Sequence, residues 1–192
     1  FKIHYQRELK PEEVYPFFGK TLRAAMETLG PDKVEELIAT YREYNLAQHD
    51  HLISAFAGVA EIVHALYSAG ITLGVVTSKT QATALRGLRL FNLDKYFTAV
   101  VGADQCKNHK PHPEPVLRAI VMLKVSPNAC LMVGDSPADI ISAKKAGIKT
   151  AAVKWTQVPW TAIEAAGPDY YVETMYDLLN LCGLAETKKG SA

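Results

Sequence analysis

The chain has little net charge, few cysteines and no long apolar run, and each shortage removes a class of function. Lys and Arg number 21 against 20 Asp and Glu, for a formal net charge of +1. That balance gives no electrostatic reason for a nucleic-acid partner, although a few local groups can still hold a small anion. Cys106, Cys130 and Cys182 are odd in number and far apart. They make neither a disulfide framework nor a CxxC zinc site, and a reducing, cytoplasmic setting is expected. Cys130 opens an apolar run, where it is expected to be buried. Every apolar run stops well short of the roughly 20 residues of a membrane span, and no secretory signal is visible, so no membrane partner is expected. With no coiled-coil repeat or long apolar edge, a monomer is expected.

What is present suits a packed core: 192 residues, 48% hydrophobic and 21% charged, enough for one domain with a small accessory unit. Phe1 to Leu9 reads as the middle or end of an element, so further residues are expected upstream. From Pro11 to about Ser54 the strong patterns are helical. Pro11-Glu12-Glu13 is a helix start. Leu22, Ala25, Met26 and Leu29 form one apolar face. After Gly30-Pro31, a second helix over 32–48 has Val34, Leu37, Ile38, Tyr41 and Leu46 on its apolar side.

At Ala57-Gly58 the pattern changes to alternating strands and helices. Strands are predicted over 71–77, 98–101, 130–134, 150–153 and 170–172, with helices over 59–68, 81–90, 113–123, 137–146, 159–165 and 175–181. Near-continuous apolar strands between amphipathic helices imply a Rossmann-like open parallel sheet covered on both faces. In such α/β sheets binding groups gather beyond the carboxyl ends of the strands. Three of these ends carry polar chemistry: Thr77-Ser78-Lys79, Gly102-Ala103-Asp104 and Gly134-Asp135-Ser136. The segment 185–192 is small and polar and is expected to be a flexible tail.

Asp135 sits at a strand tip, and Asp139 follows it by one helical turn. The pair makes a hard-cation site for magnesium and phosphate oxygens, or else a capped helix start; the spacing alone leaves both open. Thr77 and Ser78 before a helix offer hydroxyls and free N–H groups to a phosphate, or again a simple cap. Pro111 holds Lys110 extended on a short loop, where a fixed ammonium can neutralise phosphate charge. His109 and His112, separated by prolines, are poorly placed to chelate a metal.

The order of an apolar strand ending in Thr77, a Lys110-Pro111-x-Pro113 loop, and Gly134-Asp135-Ser136-x-x-Asp139 resembles the haloacid dehalogenase superfamily from Pro11 to Leu181. Within it, the resemblance is to the branch of phosphoglycolate phosphatase and the pyrophosphatase PpaX, in which a helical cap follows the first core strand. It implies a cap over 1–54 and a core over 55–184. By this resemblance Thr77 and Ser78 contact the transferring phosphoryl group, and Lys110 bridges the nucleophile and the phosphate. Asp135 ligates Mg2+, which Asp139 ligates or serves through a bound water, and the Gly19-Lys20-Thr21 turn of the cap faces the substrate. The implied reaction is magnesium-dependent hydrolysis of a small phosphate monoester, phosphoglycolate-like, or of pyrophosphate, through an aspartyl-phosphate. Alternatives are a mutase resembling beta-phosphoglucomutase and an inactive relative that binds a phosphate ligand or a protein. The family's Asp-x-Asp-Gly-Thr motif is absent, and no Asp-x-Asp occurs in the sequence. The nucleophile is therefore expected upstream of Phe1, and residues 1–192 alone are expected to be inactive.

Overall fold

The structure, a computed structural model, describes residues 1–184, so the expected flexible tail lies outside the described residues. The first part is helical: α1 (Lys2–Tyr5), α2 (Pro11–Val14), α3 (Leu22–Leu29) and α4 (Val34–Leu52). Thr21 starts α3 by accepting the Ala24 N–H at 3.3 Å, a side-chain cap for an otherwise orphaned donor. In α4, Glu35 and Glu36 occupy the first turn and His49 and His51 the last, the order that suits the helix dipole.

Leu37 and Ile38 of α4 are buried as expected, but Tyr41 and Leu46 are 48% and 60% exposed. The reason is length: α3 has 8 residues and α4 has 19, so the covering helix ends first. Further along α4, His49 is buried instead. It faces Gly87 of α6 (Gln81–Leu90), where an added Cβ would stand 3.7 Å from His49 Cε1. Beside it the Arg86 guanidinium grips Asp50 at 2.9 and 3.0 Å and donates to the Leu46 carbonyl at 3.0 Å. The far end of the helical unit is thereby tied to the α/β unit.

That second unit runs α5 (Val59–Ser68), β1 (Leu73–Val76), α6, β2 (Phe97–Val101), α7 (Glu114–Leu123), β3 (Leu131–Gly134), α8 (Pro137–Lys145), β4 (Lys149–Val153), α9 (Trp160–Ala166), β5 (Tyr170–Val172) and α10 (Asp177–Leu181). β1 pairs with β2, and β4 lies between β3 and β5, every pairing being parallel. Among the described residues no ladder joins β1 to β3, so the hydrogen bonds divide the strands into groups of two and three. The groups nevertheless share a core. Leu73 of β1 and Val133 of β3 pack with Ile62, Leu66, Val153 and Val172, while Val76 and Met132 pack with Val116, Ile120 and Ala143. Each fully buried branched side chain, such as Ile62 or Ile140, contributes about 2 kcal/mol. Cys130 departs from expectation: it is half-buried just ahead of β3, with Sγ 3.2 Å from the Ser126 carbonyl. Among the described residues no helix is long and apolar enough to cross a membrane.

Asp169 ties β4 to the turn before β5. It accepts from Lys149 Nζ at 2.8 Å, Thr150 N at 2.9 Å and Thr150 Oγ1 at 2.7 Å. The Lys149 bond first, then the Thr150 hydroxyl, pull its carboxyl down to about 2. A carboxyl acidified by folding stabilises the fold fully above its unfolded value of about 3.9 and loses that contribution as pH falls through its folded value. Asp169→Asn is therefore expected to flatten the acid limb of stability between about pH 4 and 2, read as the urea midpoint against pH. A variant limb as steep as the wild type's contradicts this.

Candidate active site

One lysine joins the tip of β1 to the start of α8. Lys110 Nζ lies 2.6 Å from Asp139 Oδ1 and 3.3 Å from the Val76 carbonyl. The two charged side chains are only 7% and 5% exposed, so this is a buried ion pair, for which losing one partner is far more costly than for a surface pair. Glu114 steadies the loop that carries the lysine. Its carboxylate accepts from Lys107 N at 2.8 Å, Asn108 N at 3.0 Å and Asn108 Nδ2 at 2.8 Å. These donors, led by the Lys107 N–H, hold the Glu114 carboxyl below its usual range. His112 accepts the Glu114 N–H at 3.2 Å, and His109 is exposed.

At α8 the two readings of Asp139 meet. Ser136 is the N-cap, accepting from Asp139 N at 3.4 Å. Asp139 Oδ2 reaches back to accept from Ser136 N at 3.1 Å and Ser136 Oγ at 2.7 Å, the reciprocal pattern of a capping box. The cap leaves Oδ1 turned toward Lys110. Gly134 is needed for this closeness, because a Cβ there would stand 2.8 Å from Asp139 Cγ. Asp135, by contrast, is exposed at the mouth. Its carboxyl is pushed up, first by desolvation among the surrounding atoms and then by the charge of Asp139, with Lys110 acting in the opposite direction. Exposure and desolvation coexist because one side of the residue faces water while its carboxyl leans toward Asp139. Among the described residues no three His, Cys, Asp or Glu side chains form a metal cage.

Thr77 continues the β1 edge, its N–H donating to the Val101 carbonyl at 3.0 Å and its hydroxyl accepting Lys79 N at 3.2 Å. Ser78 Oγ donates to the Gly19 carbonyl at 2.6 Å, so it contacts the helical unit. Gly19 has φ +85°, and a Cβ on it would stand 2.7 Å from Ser136 Cβ. Only glycine meets both demands without strain. Lys20 is exposed with Nζ 4.8 Å from the Phe17 ring centroid, while Thr21 is engaged in capping α3. Gly19, Ser78, Ser136, Asp139 and Lys110 thus belong to one neighbourhood, with Thr77 and Asp135 at its edges. Sequence reasoning did not single out Glu114, nor Thr156, whose Oγ1 donates to the Asp135 carbonyl at 2.7 Å. Glu114 could have been suspected from its place at a helix start, whereas Thr156 carries no motif.

Residues 1–153 match the profile of the haloacid dehalogenase-like hydrolases. The chain belongs to that family. It is 39% identical over 181 residues to the pyrophosphatase PpaX of Anoxybacillus flavithermus, covering 94% of this chain and 84% of the relative. To the pyrophosphatase PpaX of Bacillus cereus it is 41% identical over 176 residues, covering 92% and 82%. Among solved structures, a haloacid dehalogenase-like family hydrolase from Streptococcus pneumoniae superposes with a TM-score of 0.81 at 21% identity, covering 92% of this chain and 83% of that one. That last likeness concerns the fold alone. Family membership makes this protein a phosphohydrolase of the haloacid dehalogenase type.

Proposed function

We propose that the protein hydrolyses inorganic pyrophosphate in a magnesium-dependent reaction, with a phosphoglycolate-like monoester as the competing substrate. The observation that carries the reading is the buried Lys110–Asp139 pair beside Asp135 at the mouth of the site. The donor set suits magnesium, which takes oxygen ligands, needs only one or two protein carboxylates and keeps room for waters and phosphate oxygens. The raised carboxyl of Asp135 agrees, since a nearby cation offsets the repulsion between two carboxylates. Asp139 already receives three hydrogen bonds, about three-quarters of its capacity. It serves best by receiving a water bound to the cation, with Asp135 as the direct ligand. Magnesium, when bound, supplies Lewis-acid stabilisation of phosphoryl oxygens.

The chain's own groups do the rest. Lys110 brings fixed positive charge to the phosphoryl group, and Thr77 and Ser78 offer hydroxyl donors. Ser78 must release the Gly19 carbonyl to do so, so phosphate entry is linked to a movement of the Gly19-Lys20-Thr21 turn, which we assign to substrate contact. Pyrophosphate is preferred because the two named relatives are pyrophosphatases at 39% and 41% identity.

For the nucleophile we look to a strand preceding Phe1. The inner edges of β1 and β3 have no ladder partner among the described residues, and the family's first strand belongs between them. An aspartate oxygen there attacks phosphorus and phosphate leaves; water then cleaves the aspartyl-phosphate and restores the carboxylate, dividing one hard step into two.

The test compares residues 1–192 with the protein carrying the nucleophile strand. The longer protein is expected to release phosphate from pyrophosphate faster than from phosphoglycolate, and only with magnesium; residues 1–192 alone are expected to stay at background. Turnover that survives complete chelation sinks the cation assignment. Turnover by residues 1–192 that Asp135→Ala abolishes sinks the assignment of the nucleophile.

A further inference from the structure

The loop after β4 makes a contact that the reaction just described does not use. Thr156 Oγ1 donates to the backbone carbonyl of Asp135 at 2.7 Å and accepts the Val158 N–H at 3.0 Å. The other half of the same Asp135–Ser136 peptide is also held, because Ser136 N donates to Asp139 Oδ2 at 3.1 Å. One peptide unit is therefore gripped on its carbonyl side by the β4 loop and on its N–H side by α8. Gly134, on the other side of Asp135, is paired with Ala152 in the sheet, so both peptides flanking the Asp135 Cα are held, which restricts the direction in which its side chain leaves the backbone.

The gripping hydroxyl is itself on a fixed support. Val158 is 9% exposed and packs with Ile140, Ala152 and Ile163. Ile140 follows Asp139 directly, so the anchor and the carboxylates rest on the same patch of core. On the other side of Thr156, Trp155 packs against the main cluster and lies 6.3 Å from Phe56, ring centroid to centroid. A loop held on both flanks has little freedom to follow a displaced Asp135. Thr156 is half-buried and Asp135 exposed, so this bond lies at the rim of the site and not in the core.

We propose that Thr156 is a positioning residue for Asp135: its hydroxyl fixes the Asp135–Ser136 peptide and so pre-orients the carboxylate that takes the divalent cation. The assignment rests on the cation reading of Asp135 given above. Residues that orient a metal ligand, without touching the metal, commonly change its affinity by about 10- to 100-fold. A single pre-orienting hydrogen bond on the ligand's backbone belongs at the lower end of that range.

The experiment is direct binding of Mn2+, a paramagnetic substitute for magnesium, to the intact protein, followed by the decrease in free Mn2+ resonance. Thr156→Val keeps the shape and removes the hydroxyl; it is expected to weaken Mn2+ binding about 10-fold. Thr156→Ser restores the hydroxyl and is expected to restore wild-type binding. Thr156→Val also takes the acceptor from the Val158 N–H, so its metal-free melting temperature is expected to fall modestly, and binding is compared at a temperature where all three are folded. Thr156→Ala stands in should the valine variant fail to fold. In the phosphate-release assay the magnesium concentration for half-maximal rate rises with loss of the hydroxyl, while the rate at saturating magnesium stays near wild type. A valine variant that binds Mn2+ as the wild type does, or a serine variant as weak as the valine one, overturns the assignment while leaving the cation reading intact. A wild-type protein that binds no Mn2+ overturns the cation reading and this assignment together.

Discussion

Lys110→Met is expected to reduce phosphate release by about 100- to 1,000-fold and to lower stability at the same time. Methionine replaces the apolar stem of lysine but brings no charge to a developing phosphoryl anion. The structural consequence follows from burial. With the ammonium gone, Asp139 is a carboxylate 5% exposed that keeps only Ser136 N and Oγ as donors. Removing one member of a buried pair costs about 3–5 kcal/mol, and the two remaining donors place the loss near the lower figure. A double variant separates the effects: Lys110→Met with Asp139→Asn removes the stranded charge while leaving an oxygen for the Ser136 cap. Its urea midpoint is expected to recover most of the loss while its turnover stays at or below the level of Lys110→Met. A single variant as stable and active as the wild type would remove the lysine from the site.

Asp135→Asn is expected to divide activity from stability in the other direction. The substitution takes away a charged oxygen ligand, and the affinity for magnesium should fall by more than the about 10- to 100-fold ascribed to supporting residues. Phosphate release at ordinary magnesium concentrations falls with it. Without metal, however, the wild type holds two carboxylates close together, and their repulsion together with desolvation pushes the Asp135 carboxyl up. An acid whose pKa is raised by folding weakens the fold when it is charged, above its folded value. The neutral amide relieves that strain, so the metal-free variant should melt no lower than the metal-free wild type. Added magnesium should then raise the wild type's melting temperature by mass action and leave that of the variant unchanged. An equal rise in both would show that the cation binds elsewhere.

The candidate site residues are legible in the sequence to different degrees. Asp135 and Thr77 announce themselves because an apolar strand ends beside a polar residue, and parallel sheets put binding groups there. Lys110 is legible as a stiffly held cation through its proline neighbours, but its partner is not, since Asp139 lies 29 positions further on. Spacing divides the Asp139 motif between a helix cap and a cation site, and in the structure it forms a cap whose second oxygen meets the lysine. Ser78 reads more readily as a helix cap than as a phosphate donor, yet its hydroxyl lies on the Gly19 carbonyl, 59 positions away. No local rule could have supplied that pairing, nor the hold of Thr156 on Asp135.

Local patterning by itself determined which segments are helices and which are strands. The strand over 170–172 and the start of α8 at Pro137 lie where the turn residues and apolar runs put them. Such signals depend on neighbours within a few positions, and packing reinforces them. Tertiary structure decided what covers each face and which polar groups meet. Tyr41 and Leu46 are exposed because α3 is shorter than α4, while His49 is buried because α4 reaches α6 at Gly87. Burial depends on what another part of the chain brings alongside, and a residue's own periodicity carries no record of that.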